Sequence, residues 1–262
     1  LTVGLLGDST LDIASGGLVS SDSARVAYGL FSGGQVTVDG AGSMWNNTGS
    51  LIVGGEGNAA LAITDGGAVS SNGGDVALES TSTSHVTVDG VGSTWTNGGA
   101  LTVGDGSLTI TGGGAVSNVG AVLASADLSV VEVIVDGPGS AWTNSGGLSL
   151  GGYGDATLNV TNGGVVSSDS AVVGTLGQGA VVVDGAGSEW TNVLGLTIGE
   201  FGGATLDMSN GGVVRSGRTT IGSYGTGVVT VAGEGTSLLN ESQLYVGDAG
   251  NGTLTISDGA SA

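Results

Sequence analysis

The sequence predicts an all-β chain wound as a parallel β-helix, or β-solenoid, with three short strands per coil, about 25 residues per coil and two coils per sequence repeat. Three observations carry this. First, the stretch Val36–Asn47 (V-T-V-D-G-A-G-S-M-W-N-N) returns at Val86–Asn97, Val133–Asn144 and Val181–Asn192, with its Asp residues 50, 47 and 48 positions apart. Second, each 25 residues hold three short runs of alternating apolar residues, bounded by Gly, Ser, Asn or Asp, which is the pattern of strands joined by turns. Third, no window shows helical spacing, and Gly, 57 of the 262 residues, interrupts throughout.

The coils begin near Leu1, Ala24, Leu51, Asp75, Leu101, Ala121, Leu148, Ala171, Leu196, Thr219 and Leu244. Stacked at the ordinary inter-strand spacing of about 4.8 Å, they form a rod about 50 Å long. Leu11, Val36, Leu61 and Val86 recur at intervals of 25 and continue through Leu108, Val133, Leu158, Val181, Leu206, Val229 and Leu254. Two residues on, Ile13, Val38, Ile63, Val88 and their successors form a second column. Both are expected to point inward, with Asp12, Thr37, Thr87 and Asn159 between them pointing out, because strand side chains alternate. A fifth copy of the motif, Val229–Asn240, has decayed, with Ala232 for Asp and Leu238 for Trp. The pattern is already under way at Leu1 and still under way at Asp258. Residues 1–262 are therefore expected to be one solenoid of ten to eleven coils, without caps, from a longer chain.

Composition excludes several functions. Without Cys there is no disulfide framework, no Cys-type zinc site and no Cys nucleophile. Three basic residues, all Arg, stand against 23 acidic ones, giving a net charge of -20. Nucleic-acid binding needs cations to neutralise phosphates, so no nucleic-acid partner is expected. No run of about 18 apolar residues is present, so this segment is not expected to insert in a membrane as a helix.

The V-x-V-D-G-x-G-S-x-W-x-N block alternates with a second block, L-x-V-G-x-x-G-x-x-x-L-x-I-x-x-G-G-x-V, found at Leu51–Val69, Leu148–Val166 and Leu196–Val214. Together they resemble the repeat of bacterial autotransporter passengers and PEP-CTERM-associated surface proteins. The resemblance spans essentially the whole chain. It implies a type V secretion substrate at the bacterial cell surface or outside the cell, often an adhesin. Implied partners are host or bacterial surface glycans or proteins, or further copies of the chain.

The repeated polar and aromatic residues are the candidate sites. Trp45, Trp95, Trp142 and Trp190 recur every second coil, about 10 Å apart along the axis. Exposed, such a row would stack on sugar rings; buried, it would fill a wide core corner. Leu238 in the decayed copy favours the core. Asn47, Asn97, Asn144, Asn192 and Asn240 each follow two residues later, suited to bonding one another or turn backbone. Asp39, Asp89, Asp136 and Asp184 alternate in their column with Thr64, Thr111, Thr161 and Ser209. Carboxylates two coils apart cannot share a proton, so turn capping is expected, with calcium as the alternative. Gly151–Asp155 is similar to part of the RTX calcium nonapeptide, but its Asp is out of register. His85, the only histidine, stands at a variable outward position, where the other copies have Gln35, Glu132, Ala180 and Val228.

These readings predict a non-enzymatic surface scaffold without cofactor or metal: a stalk or adhesin mediating attachment or aggregation. One alternative is a polysaccharide-binding or polysaccharide-degrading β-helix, for which only Arg215 and Arg218, near Asp207, could supply a basic residue. The other is a self-associating matrix or filament subunit, since open strand edges invite pairing.

Overall fold

A computed structural model describes residues 1–78 and 82–262. The described chain is a succession of strands and turns without helix, and every strand pairing is parallel. Each coil carries three strands, as in Gly33–Asp39, Met44–Asn47 and Leu51–Val53. First-face strands stack into one parallel sheet of 11 strands, while the second and third faces join in a sheet of 19. The join occurs where a strand runs through the corner between them, at Val165–Val173 and Glu189–Ile198. The first-face strands, mostly six or seven residues long, exceed those of the other two faces, as Gly33–Asp39 exceeds Met44–Asn47 and Leu51–Val53.

The inward columns follow from period-2 alternation. Leu11 pairs with Val36, Val36 with Leu61 and Leu61 with Val86, and the register continues unbroken to Leu254. Val38, Ile63, Val88 and Ile110 are fully buried, while the residues between them are partly open to water. In the second face Trp45, Trp95, Trp142 and Trp190 each pair with Val on both sides, for instance Val69 and Val116 around Trp95. All four indoles are 0 % exposed. Leu238 takes the same place opposite Val214 and is equally buried.

One boundary differs from the sequence reading. The inward residue opening the third strand of that coil is Gly74, paired with Leu51 and Leu101, while Asp75 points outward between Ile52 and Thr102. Trp95 explains the difference. A Cβ on Gly74 would lie 2.8 Å from Cζ2 of Trp95, so the indole leans back over a position that has no side chain. The same column reads Ala24, Leu51, Gly74, Leu101, Ala121, Leu148, Ala171, Leu196 and Thr219. Leu stands in each coil that holds a Trp, and Ala, Gly or Thr in each coil that holds Val. The two-coil sequence repeat is thus a packing rule: each indole occupies space vacated in the coil before it.

Corners are set by backbone conformation. At the first corner of alternate coils two successive residues take positive φ, such as Asp65 (49°) and Gly66 (89°). Gly67, next in line, is confined for another reason, since a Cβ there would meet the Val38 carbonyl oxygen at 2.1 Å. Asn, Asp and Gly are the residues that tolerate such turns.

Trp142 fills the core and its Nε1 donates to Asn118 Oδ1 at 2.8 Å in the preceding coil. Trp142→Ala is expected to destabilise the fold by about 3–5 kcal/mol, as other large-to-small core changes do. Thermal and denaturant melts check this, and an unchanged melting curve would contradict the burial.

Candidate functional site

The polar columns are consumed largely within the solenoid. At the first corner each carboxylate accepts a hydroxyl from the following coil: Thr64 to Asp39 (2.7 Å), Thr111 to Asp89 (2.7 Å), Thr161 to Asp136 (2.6 Å) and Ser209 to Asp184 (2.5 Å). Asn162 and Asn210 add amide bonds to Asp136 and Asp184, at 2.6 Å each. Among the described residues, no group of three His, Cys, Asp or Glu side chains converges as a metal site.

The Asn residues lie at the second corner, two coils apart, and meet the intervening coil instead of one another. Ser21, Ser71 and Ser168 donate hydroxyls to Asn47, Asn97 and Asn192, and Asn118 donates its amide to Asn144. Asn47 and Asn144 also donate to the backbone oxygens of Ser70 and Ser167. Asn240 pairs in register with Ser216.

A third polar row escaped sequence reasoning. Ser43, Ser93, Ser140 and Ser188 are fully buried, with Thr236 in the decayed copy. Each oxygen accepts the backbone N–H of a corner glycine in the preceding coil, from Gly16 to Ser43 (3.1 Å) through Gly211 to Thr236 (2.9 Å). Ser93 and Ser188 then donate to their own coil, to the carbonyls of Asp89 and Asp184 at 2.6 Å. The available signal was that the decayed copy lost its Asp and Trp but kept a hydroxyl.

Two surface features are not used up this way. The first is a shallow depression of about 690 Å³ on the first face, lined in part by Asp8, Gln35, Asn58, Thr83 and His85. His85 sits exposed there, with Nδ1 2.8 Å from Ser107 Oγ. Register runs Thr10, Gln35, Ala60, His85, which places His85 about 14 Å along the axis from the strand next to Asp8. The two cannot form an acid–base pair across that distance.

The second feature is the third corner, where the third strand turns into the next coil. Here the side chains are apolar and exposed: Leu6, Phe31, Leu128, Tyr153, Leu176, Phe201 and Tyr224. Phe31 and Leu128 are both 95 % exposed and hold φ of 61° and 62°, a left-handed backbone that costs a bulky residue about 1–2 kcal/mol. Tyr153, Leu176, Phe201 and Tyr224 stand on four successive coils, each three residues past the paired Leu150, Val173, Ile198 and Ile221. The Phe201 and Tyr224 rings stack with centroids 5.2 Å apart and planes 9° from parallel. Arg25 lies 4.7 Å over the Tyr28 ring near the same corner, and Arg215 pairs with Glu189 on the second face at 3.0 Å.

No family model matches this chain, and no curated protein matches it significantly. Among solved structures, the crystal structure of a TibC-catalysed, hyper-glycosylated TibA fragment is similar, with a TM-score of 0.47 and 18 % identity over 100 % of this chain and 97 % of that one. A likeness of this degree says nothing of what the chain binds.

On the third face, burial raises the Asp75 carboxyl above its ordinary value of 3.8, and a hydrogen bond from Thr102 offsets part of the rise. The folded state therefore binds this proton more tightly than the unfolded chain does. Its contribution to stability is fully present below the ordinary value and is lost as pH climbs through the raised one. Asp75→Asn is expected to melt higher than the parent at pH 7, with the gap closing towards pH 3. Calorimetry at both pH values decides; an equal gap at both would contradict the assignment.

Proposed function

We propose that the chain is a non-enzymatic scaffold displayed at a bacterial surface: a stalk or adhesin segment whose long sides mediate attachment. The observation that carries this reading is the use of the repeated carboxylates. Asp39, Asp89, Asp136 and Asp184 each accept a hydroxyl from the next coil, so the most regular ionisable column serves coil stacking. The autotransporter-like repeat supports surface display. Binding spread over repeated coils is weak per contact and gains strength through many displayed copies.

A second reading, saccharide binding, is favoured by the first-face depression, where Asp8, Gln35, Asn58 and His85 surround small residues. Planar polar side chains of this kind suit hydroxyl recognition. Self-association is the third, and depends on strand edges or side faces meeting another copy.

Cells displaying the chain should settle or attach faster than cells displaying an unrelated protein. A reducing-sugar assay on acidic polysaccharides should show no cleavage. Release of sugar ends with unchanged settling would place the protein in the enzyme class instead.

A further inference from the structure

We infer that the third corner over coils carrying Tyr153, Leu176, Phe201 and Tyr224 is a docking edge for a cationic amphipathic helix of a partner protein. The inference deepens the scaffold reading by naming what one side of the rod receives. Its first support is the concentration of exposed apolar groups. The four side chains are between 52 % and 65 % exposed and stand on four successive coils, while the first corner shows one exposed large apolar side chain, Val91, among the described residues. A contiguous apolar row on a polar, strongly charged protein marks an interaction site.

Charge selects the occupant. Glu200 stands within the four loops of this edge, Asp127 and Asp248 stand in the loops of the two flanking coils, and no Lys or Arg stands in any of these loops. A second copy would bring the same carboxylates to the contact, and like charges facing each other across an interface cost several kcal/mol. Anionic lipid and nucleic acid are repelled for the same reason. Phe201 and Tyr224 stack on each other at 5.2 Å, which withdraws one face of each ring from a sugar. A polypeptide with apolar anchors flanked by Lys or Arg meets both requirements.

Spacing selects a helix. Side chains at i, i+3, i+4 and i+7 form a stripe that advances about 5.4 Å per turn. The rungs of the edge advance about 4.8 Å per coil. Across four rungs the two drift apart by only about 2 Å, within the adjustment of side-chain rotamers. Beside Leu176 and Phe201, in the middle of the row, lies an open groove of about 590 Å³, lined also by Gly203, Ala204, Thr205, Thr226 and Val228, into which an apolar side chain of the helix can settle.

The test uses a fluorescein-labelled Leu/Lys peptide of about 14 residues with helical periodicity, near four turns. Binding is read by anisotropy at physiological salt. The parent protein should bind it at least tenfold more tightly than a protein carrying Tyr153→Ser, Leu176→Ser, Phe201→Ser and Tyr224→Ser together. Oligolysine of equal charge should bind the parent at least tenfold more weakly than the helical peptide. Melting curves of parent and variant should coincide, because the four side chains are exposed. Equal binding of the peptide by parent and variant would overturn the site. Equally tight binding of a strand-periodic Leu/Lys peptide would overturn the helix. A parent dimer in sedimentation that the variant loses would give the edge to a second copy. Settling of cells that display the variant reports separately on the scaffold reading, so either conclusion can fail without the other.

Discussion

Every feature of this solenoid answers to one constraint: residues at the same coil position lie in register about 4.8 Å apart and must fit against their own equivalents. Aliphatic columns meet it easily, since Leu, Val and Ile interdigitate at that spacing. An indole leaning along the axis does not, because it invades the neighbouring coil. The chain resolves this by alternation. A Trp coil follows a Val coil, and the position beneath the indole shrinks to Ala24, Gly74, Ala121 or Ala171. What the sequence displays as a repeat of about 48 residues is the shortest unit that packs without overlap.

The same stacking governs the polar groups. Hydroxyls, amides and carboxylates at the corners bond to the coil before or after, so the exterior columns double as axial ties. Ser93 shows the economy of the arrangement, accepting the Gly66 N–H and donating to the Asp89 carbonyl while fully buried. Buried polar atoms satisfied in this way hold register, since a one-residue slip would strand each of them. Chemistry available to an outside partner is left mainly at the first-face depression and the third corner.

How much was legible in the sequence depended on the kind of signal. Period, strand count and inward columns could be read because Leu11, Val36, Leu61 and Val86 repeat at a constant interval. Gly74 could not be placed from hydropathy, since a residue without a side chain carries no apolar signal; its position is dictated by Trp95, 21 residues later. The buried Ser row looked like ordinary turn composition until its backbone partners were known. The apolar corner was hidden for a different reason. Its loops vary in length, from 104–105 to 124–129, so the exposed apolar residue stands five past Leu123 at Leu128 but three past Leu150 at Tyr153, and the strand register is needed to show the row.

The most direct test of the packing rule is a double-mutant cycle on Gly74→Leu and Trp95→Val, followed by urea unfolding. Gly74→Leu alone overpacks the space under the indole and should cost about 1–3 kcal/mol or more. Trp95→Val alone leaves a void and should also destabilise. Together they exchange large and small between neighbouring coils, so the double variant should be more stable than the sum of the two losses by over about 1 kcal/mol. Losses that add to within about 0.5 kcal/mol would show that indole and glycine do not share the space, and would contradict alternation as the origin of the two-coil repeat.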